Sequence, residues 1–277
     1  MRLGRFGDGR IGVVRGALVH DVTAALDVAP SPAHARPSGD ALVAGLARLR
    51  PRLEAACESA QRFDLESVQW LSPVAKPPRV IAVRTNYGPG VAGGDPDLFL
   101  KAPSSVVGPS EGIELRFPGR QTDHEVELVA VVGRDCGTVE PASALDCLAG
   151  YCIGIDVTLR GGEDRGLRKS LDGFTVLGPW LTTADEAGEA PRRRIELAVN
   201  GERRQQGDTS QMRHGVAELV SFASRYFTLR PGDVIMTGTP AGVGPLEPCD
   251  AIDCWIEGLG EMHVSVRGPR TDARDQR

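Results

Sequence analysis

Two glutamates one residue apart, Glu125 and Glu127, head the apolar run "LVAVV". Side chains alternate across a strand, so residues at i and i+2 share a face. Two like charges on one face of a buried strand repel and require a cation. A third carboxylate, Asp156, ends a second apolar run, "GYCIGID", and Thr158 and Arg160 follow on its face at period 2. Two strands can thus aim three carboxylates at one point. With water and substrate oxygens completing the shell, such a set suits a hard cation, Mg2+ or Mn2+. Downstream stands Lys169, in "LRKSLDGF". A lysine beside a metal-bound enolate donates a proton or stabilises its charge. The Gly- and Thr-rich "TGTPAGVG" (237–244) offers backbone amides and the Thr239 hydroxyl to a substrate carboxylate. Taken singly, each signal is weak. An E-x-E pair on a strand is most often a solvated or salt-bridged face.

The elements that must position these residues are mostly short and β-like. "RVIAV" (79–83), "HEVELVAVVG" (124–133) and "GYCIGIDVTLR" (150–160) read as strands. "RIELAVNGERRQ" (194–205) reads as a hairpin about Asn200-Gly201, and "DAIDCWIEGLGEMHVSVRG" (250–268) as another. "PGDVIMTGTP" (231–240) is a strand ending in a tight loop. Helical signals are confined to 40–63, 141–150 and 215–227, and Pro51 should break or kink the first. "GDGRIG" (7–12) matches G-x-G-x-x-G, but it leads into a β-type run and Asp8-Gly9 is a hairpin turn, so it is no dinucleotide site. A Pro-rich connector (29–39) and the linker "SPVAKPP" (72–78) divide the chain into a small N-terminal α+β unit (1–74), a larger β-rich unit (75–268) and a polar tail (269–277).

Composition narrows the function classes. The net charge is -5, and no basic stripe carries interleaved aromatics, which argues against a nucleic-acid partner. The N-terminus lacks an apolar signal core and no run is long enough to span a bilayer, so the chain reads as cytoplasmic, with no membrane partner. Six cysteines fit no common zinc spacing and read as mostly buried free thiols.

Seven segments in order, "NY" (86–87), "LFLKAPSSVVGP", "HEVEL", "GYCIGIDVTLR", "KSLDGFTVLGPW", "VNGERRQ" and "LRPGDVIMTGTPAGVG", resemble the fumarylacetoacetate hydrolase family over roughly residues 70–267. The resemblance implies an α+β, β-rich fold: a mixed β-sandwich roll with short helices, a small N-terminal domain, and a homodimeric assembly. It implies Glu125, Glu127 and Asp156 as ligands of Mg2+ or Mn2+, Lys169 as the active-site lysine, and Tyr87, Arg160 and Thr239 as substrate contacts. Family members act on 2-oxo acids and 1,3-dicarbonyls by carbon–carbon hydrolysis, decarboxylation, tautomerisation or dehydration. The shared step is metal chelation of a 2-oxo carboxylate.

The sequence departs from that pattern twice. Hydrolytic members read N-Y-x-x-H-x-x-E, whose His and Glu activate water; here Gly90 and Gly93 stand in those places. After the third carboxylate, Gly161 replaces an Asp and Glu163 stands in a Gln position, which makes Glu163 a candidate replacement base. His124 adjoins the ligand pair but should face the other side of the strand. The departures favour isomerase (tautomerase) or decarboxylase chemistry over hydrolysis with a relocated base, and over a silent ligand-binding member.

Overall fold

The computed structural model describes residues 1–26, 39–88, 94–188 and 192–269. Most of the Pro-rich connector, Gly90, Gly93 and the tail beyond residue 269 lie outside the described residues. The chain opens with antiparallel strands β1 (Arg2–Phe6), β2 (Arg10–Arg15) and β3 (Leu18–Asp21). Phe6 pairs with Arg10, so Gly7-Asp8-Gly9 is the turn, with Gly7 and Gly9 at φ 53° and 91°. The glycine motif therefore sits in a hairpin.

Helix α1 (Ala41–Ala56) is capped by Asp40, whose carboxylate accepts from the Leu42 and Val43 amides. It buries Leu42, Leu46, Leu49 and Leu53 along one face. The expected break at Pro51 does not occur, since the helix runs five residues past it. A mid-helix proline costs about 3 kcal/mol. Each buried leucine contributes roughly 1.5–3 kcal/mol, so the buried stripe outweighs the missing hydrogen bond.

Strands β4 (Arg62–Asp64), β5 (Trp70–Leu71), β6 (Val80–Val83), β7 (Leu98–Lys101), β8 (Val106–Val107) and β9 (Ile113–Glu114) follow. Next come β10 (Thr122–His124), β11 (Val126–Val132), helix α2 (Pro141–Ala144), β12 (Leu148–Asp156) and β13 (Thr158–Leu159). The short helix α3 (Arg165–Arg168) leads to β14 (Thr175–Thr183) and α4 (Ala184–Ala187). β15 (Arg194–Val199) and β16 (Glu202–Asp208) form the hairpin about Asn200-Gly201, both at positive φ. Helix α5 (Val216–Tyr226), β17 (Val234–Met236), β18 (Gly244–Pro245) and the hairpin β19 (Ala251–Ile256)–β20 (Gly260–Arg267) complete the described chain.

One large sheet runs β4-β3-β2-β1-β14-β12-β11-β17-β6-β7, with β5 and β8 alongside. The others run β13-β10-β18 and β16-β15-β19-β20-β9. These mixed sheets with few short helices are the β-rich α+β fold that the resemblance implies. Every residue of β11 is buried, including Glu127. The sheet crosses residue 75: β1 pairs with β14, setting Leu3 opposite Leu181. One apolar cluster likewise joins Leu3, Ile11 and Leu53 to Val129, Leu177 and Val234. The N-terminal unit therefore shares its sheet and part of its core with the segment that holds the carboxylates. No helix among the described residues is long and apolar enough to cross a membrane.

Candidate active site

The strand carrying the two glutamates is interrupted. β10 ends at His124 and β11 begins at Val126, so Glu125 lies in the break between two sheets. Its carbonyl accepts the Asp156 amide at 2.9 Å. The β11–β12 register places Glu127 opposite Gly154, with Asp156 just beyond the pairing of Val126 and Ile155. One carboxylate oxygen each from Glu125, Glu127 and Asp156 thus lies within 4.8 Å of the others. Glu127 and Asp156 are only 1% and 2% exposed.

Two lysines partly offset this charge. Lys101 Nζ donates to Asp156 Oδ1 at 2.5 Å and to the Phe174 carbonyl at 2.7 Å. Lys169 Nζ donates to Asp156 Oδ2 at 2.6 Å and to Glu125 Oε2 at 2.9 Å. Burial opposes the Asp156 charge, yet the two lysines outweigh it and lower the pKa. Burial likewise opposes the Lys169 charge, and Asp156 and Glu125 outweigh it, so this amine is held as an ammonium. Burial dominates at Lys101 and pulls its pKa down, with the charge of Lys169 adding to that effect. Glu127 accepts the Gly238 amide at 2.7 Å. Burial, reinforced by Asp156 and Glu125, pushes its carboxyl well above the ordinary range. Three carboxyl groups against two lysines form an all-oxygen donor set that turns net negative once Glu127 gives up its proton. That set fits a divalent hard cation held by Glu125, Glu127 and Asp156.

A cavity of about 310 Å³ opens onto this cluster, and Phe99, Arg160, Lys169 and Thr239 line it. Arg160 is anchored by Asp123 at 2.5 Å and by Glu125 at 3.5 Å. The Thr239 hydroxyl donates to the Val126 carbonyl at 2.7 Å, so its proton is already committed within the loop. Tyr87 lines an adjoining cavity of about 610 Å³ that shares Thr85 and Thr239 with the first. Its hydroxyl is buried without a partner among the described residues. Burial, then the charge of Glu127, raises its pKa.

Glu163, expected as a replacement base, is not brought to this cavity. It is exposed and forms a two-pronged ion pair with Arg120, at 2.7 and 2.9 Å. The Gly161-Gly162 turn carries it outward, and the Arg120 hydrogen bonds hold its pKa below the ordinary range. His124 is buried with Nδ1 3.0 Å from Gln205 Oε1, and burial keeps its pKa low.

Three site residues carried no role in the sequence reading. Lys101 stood inside "LFLKAPSSVVGP", and its position after three consecutive apolar residues was the available signal. Gln205, in "VNGERRQ", is fully buried; it donates to Thr239 Oγ1 at 2.7 Å and to the Pro240 carbonyl at 2.8 Å. Asn86 donates to the Thr237 carbonyl at 2.8 Å and accepts the His214 amide at 2.9 Å. Gln205 and Asn86 hold the Thr237–Pro240 loop from two sides. Gly238, at φ 92°, packs so closely on Asn86 that a Cβ would meet Asn86 Cβ at 2.8 Å.

Comparison with known proteins extends these observations. Residues 85–267 match the fumarylacetoacetate (FAA) hydrolase C-terminal family. A maleylpyruvate hydrolase of Aquipseudomonas alcaligenes is 45% identical, covering 96% of this chain and 99% of that protein. The crystal structure of maleylpyruvate hydrolase from Sphingobium sp. SYK-6, in complex with manganese(II) and pyruvate, has a TM-score of 0.87 at 36% identity, covering 98% of this chain and all of that one. A 5-carboxymethyl-2-hydroxymuconate delta-isomerase from Mycobacterium smegmatis has a TM-score of 0.77 at 30% identity, over 98% and 100% of the two chains. Matching the family profile over most of its length, and a named member from end to end, this chain belongs to the fumarylacetoacetate hydrolase family.

Proposed function

We propose that this chain is a divalent-metal-dependent enzyme that hydrolyses a carbon–carbon bond in an acylpyruvate, with Mg2+ or Mn2+ at Glu125, Glu127 and Asp156. The observation that carries this reading is the carboxylate triad, with Lys169 joining Glu125 to Asp156 and both glutamates lining an open cavity. The metal would supply Lewis acidity toward a 2-oxo carboxylate. Hydrolysis ranks above the isomerase or decarboxylase chemistry expected from the missing His–Glu pair because a maleylpyruvate hydrolase is 45% identical over 96% of this chain, against 30% for the isomerase.

In the hydrolytic step, water adds its hydroxyl to the acyl carbon, and the proton it gives up restores the ammonium of Lys169 after that lysine has protonated C3. The bond between that carbon and C3 of the pyruvate unit breaks, and the electron pair stays on C3 as the enolate. Lys169, the one ammonium of the cluster that lines the cavity, delivers the proton to C3. Arg160 and the backbone amide of Thr239 orient the carboxylate end. Isomerisation is the second reading, favoured by the engagement of Glu163 with Arg120 away from the cavity.

The test is loss of maleylpyruvate enol absorbance with pyruvate release, with and without EDTA. EDTA-sensitive release of one pyruvate per substrate supports hydrolysis. Exchange of the C3 protons in D2O without pyruvate release would replace it with tautomerisation. A homodimer is the assembly carried with this reading, and light scattering at twice the chain mass is the expected result.

A further inference from the structure

Cys136 and Cys147 stand sulfur to sulfur at 2.7 Å. Both are buried free thiols, 4% and 1% exposed. They lie in the excursion between β11 and β12, beyond the pairing of Val132 with Leu148 and at the other end of those strands from Glu127 and Asp156. The backbone pins each of them. The Gly133 amide donates to the Cys147 carbonyl at 2.7 Å. Cys136 exchanges both backbone hydrogen bonds with the fully buried Leu229, at 2.8 and 3.0 Å. The thiols are ordered as well: Cys147 Sγ donates to Cys136 Sγ, and Cys136 Sγ donates to the Gly137 carbonyl at 3.4 Å. A disulfide holds its sulfurs at about 2.05 Å, so a closure of about 0.7 Å separates this pair from a bond. Cys57 instead donates to the Leu53 carbonyl at 3.2 Å, and Cys249 is exposed.

Small molecules have a route to the pair. Cys147 lines a cavity of about 430 Å³, together with Gly133, Arg134 and, from α1, Val43 and Leu46. A water molecule takes up about 30 Å³, so a peroxide fits there with room to turn. Burial, then the hydrogen bond with Cys147, pushes the Cys136 thiol up to about 12. Cys136 is therefore a protonated thiol at neutral pH, and Cys147 is the member of the pair that meets an incoming oxidant.

We infer that Cys136 and Cys147 form an oxidation site, where hydrogen peroxide converts the two thiols to a disulfide that ties the excursion together. Cys147 Sγ attacks one peroxide oxygen and the O–O bond breaks. The Cys147 proton leaves with the departing oxygen as water, and Cys147 carries a sulfenic acid. Cys136 Sγ then attacks the Cys147 sulfur and the S–O bond breaks. The Cys136 proton leaves with that hydroxyl as a second water. The two thiols lose two electrons, and one peroxide gains them. No step uses the carboxylates, so the inference is independent of the reaction proposed for them.

The test treats the reduced, Mg2+-loaded chain with hydrogen peroxide, quenches it, and alkylates it after denaturation. The product should be lighter by two hydrogens before alkylation and take up two fewer alkyl groups than the six cysteines of the reduced chain. Peptide mapping should join Cys136 to Cys147, and dithiothreitol should undo the link. A bond closing a loop of this size constrains the unfolded chain, so the thermal midpoint should rise by about 5 °C on oxidation and return on reduction. In Cys136→Ala the Cys147 sulfenic acid has no partner and should be trapped by dimedone, whereas Cys147→Ala should give no adduct at Cys136. Circular dichroism checks both variants, and the wild-type map decides alone if either is unfolded. Both thiols still open to alkylation, a bond to any other cysteine, sulfinic acid in place of the disulfide, or a midpoint unmoved by the mapped disulfide overturns the inference.

Discussion

Lys101 donates to Asp156 Oδ1 at 2.5 Å, opposite the oxygen that Lys169 holds. Asp156 is thereby fixed from both sides, and the outer lysine alone faces the cavity. The two residues therefore carry different expectations. Lys101→Met leaves a buried carboxylate with one partner and takes one of its two donors from the Phe174 carbonyl, which keeps the Val157 amide. Breaking a buried ion pair costs about 3–5 kcal/mol. Because Lys169 remains, a loss near the lower end is expected, read as a fall in the urea midpoint of the metal-free protein.

Lys169→Met should fold normally and lower turnover by roughly 10²-fold or more, the usual size of a lost proton donor or charge stabiliser. Steady-state kinetics on maleylpyruvate with saturating Mn2+ would check this. A variant with full turnover would remove Lys169 from the chemistry.

Glu127→Ala should abolish tight metal binding and leave the fold intact, since it removes the most repelled charge of the cluster. Elemental analysis after desalting, beside a thermal melt, gives both readouts. Metal content equal to that of the wild type would show that the triad is not the metal site.

The same carboxyl sets a pH dependence. Its folded pKa is raised by burial, then by Asp156 and Glu125, so folding favours the protonated form. Its contribution to metal-free stability is present below the ordinary glutamate range and declines as pH rises toward the raised value. A cation on the carboxylate should expel that proton, so metal affinity falls as pH falls. Titrations of Mn2+ in two buffers of different ionisation enthalpy should report proton release. Buffer-independent heats would contradict the linkage.

Much of this was legible in the residues. The hairpins about Asp8-Gly9 and Asn200-Gly201 follow from turn chemistry, and the structure has both. The carboxylate trio follows from alternation beside apolar runs, although Glu125 reaches it from a strand break. Other features were hidden by competing effects. Thr175–Thr183 carries Gly178-Pro179, which speaks against a central strand. It is one nonetheless, and its register with β12 is irregular between Tyr151 and Ile153, where Gly178 faces Ile153. Lys101 was passed over because lysine at a strand end usually reaches water. Its burial depends on Asp156, which is 55 residues away. Glu163 drew notice by position alone; only the fold shows Arg120, 43 residues earlier, claiming it.

The pairing of β11 with β12 has a consequence for how the family can vary. Glu127 and Asp156 are held together by strand register, while residues 133–147 between the two strands supply no ligand. Insertions in that excursion leave the carboxylates where they are. Deleting one residue within Val126–Val132 turns the following side chains to the opposite face of the sheet. Natural length variation should therefore collect in the excursion and be purged from the strands, making the site tolerant of new surface segments and brittle along a few ångströms of backbone.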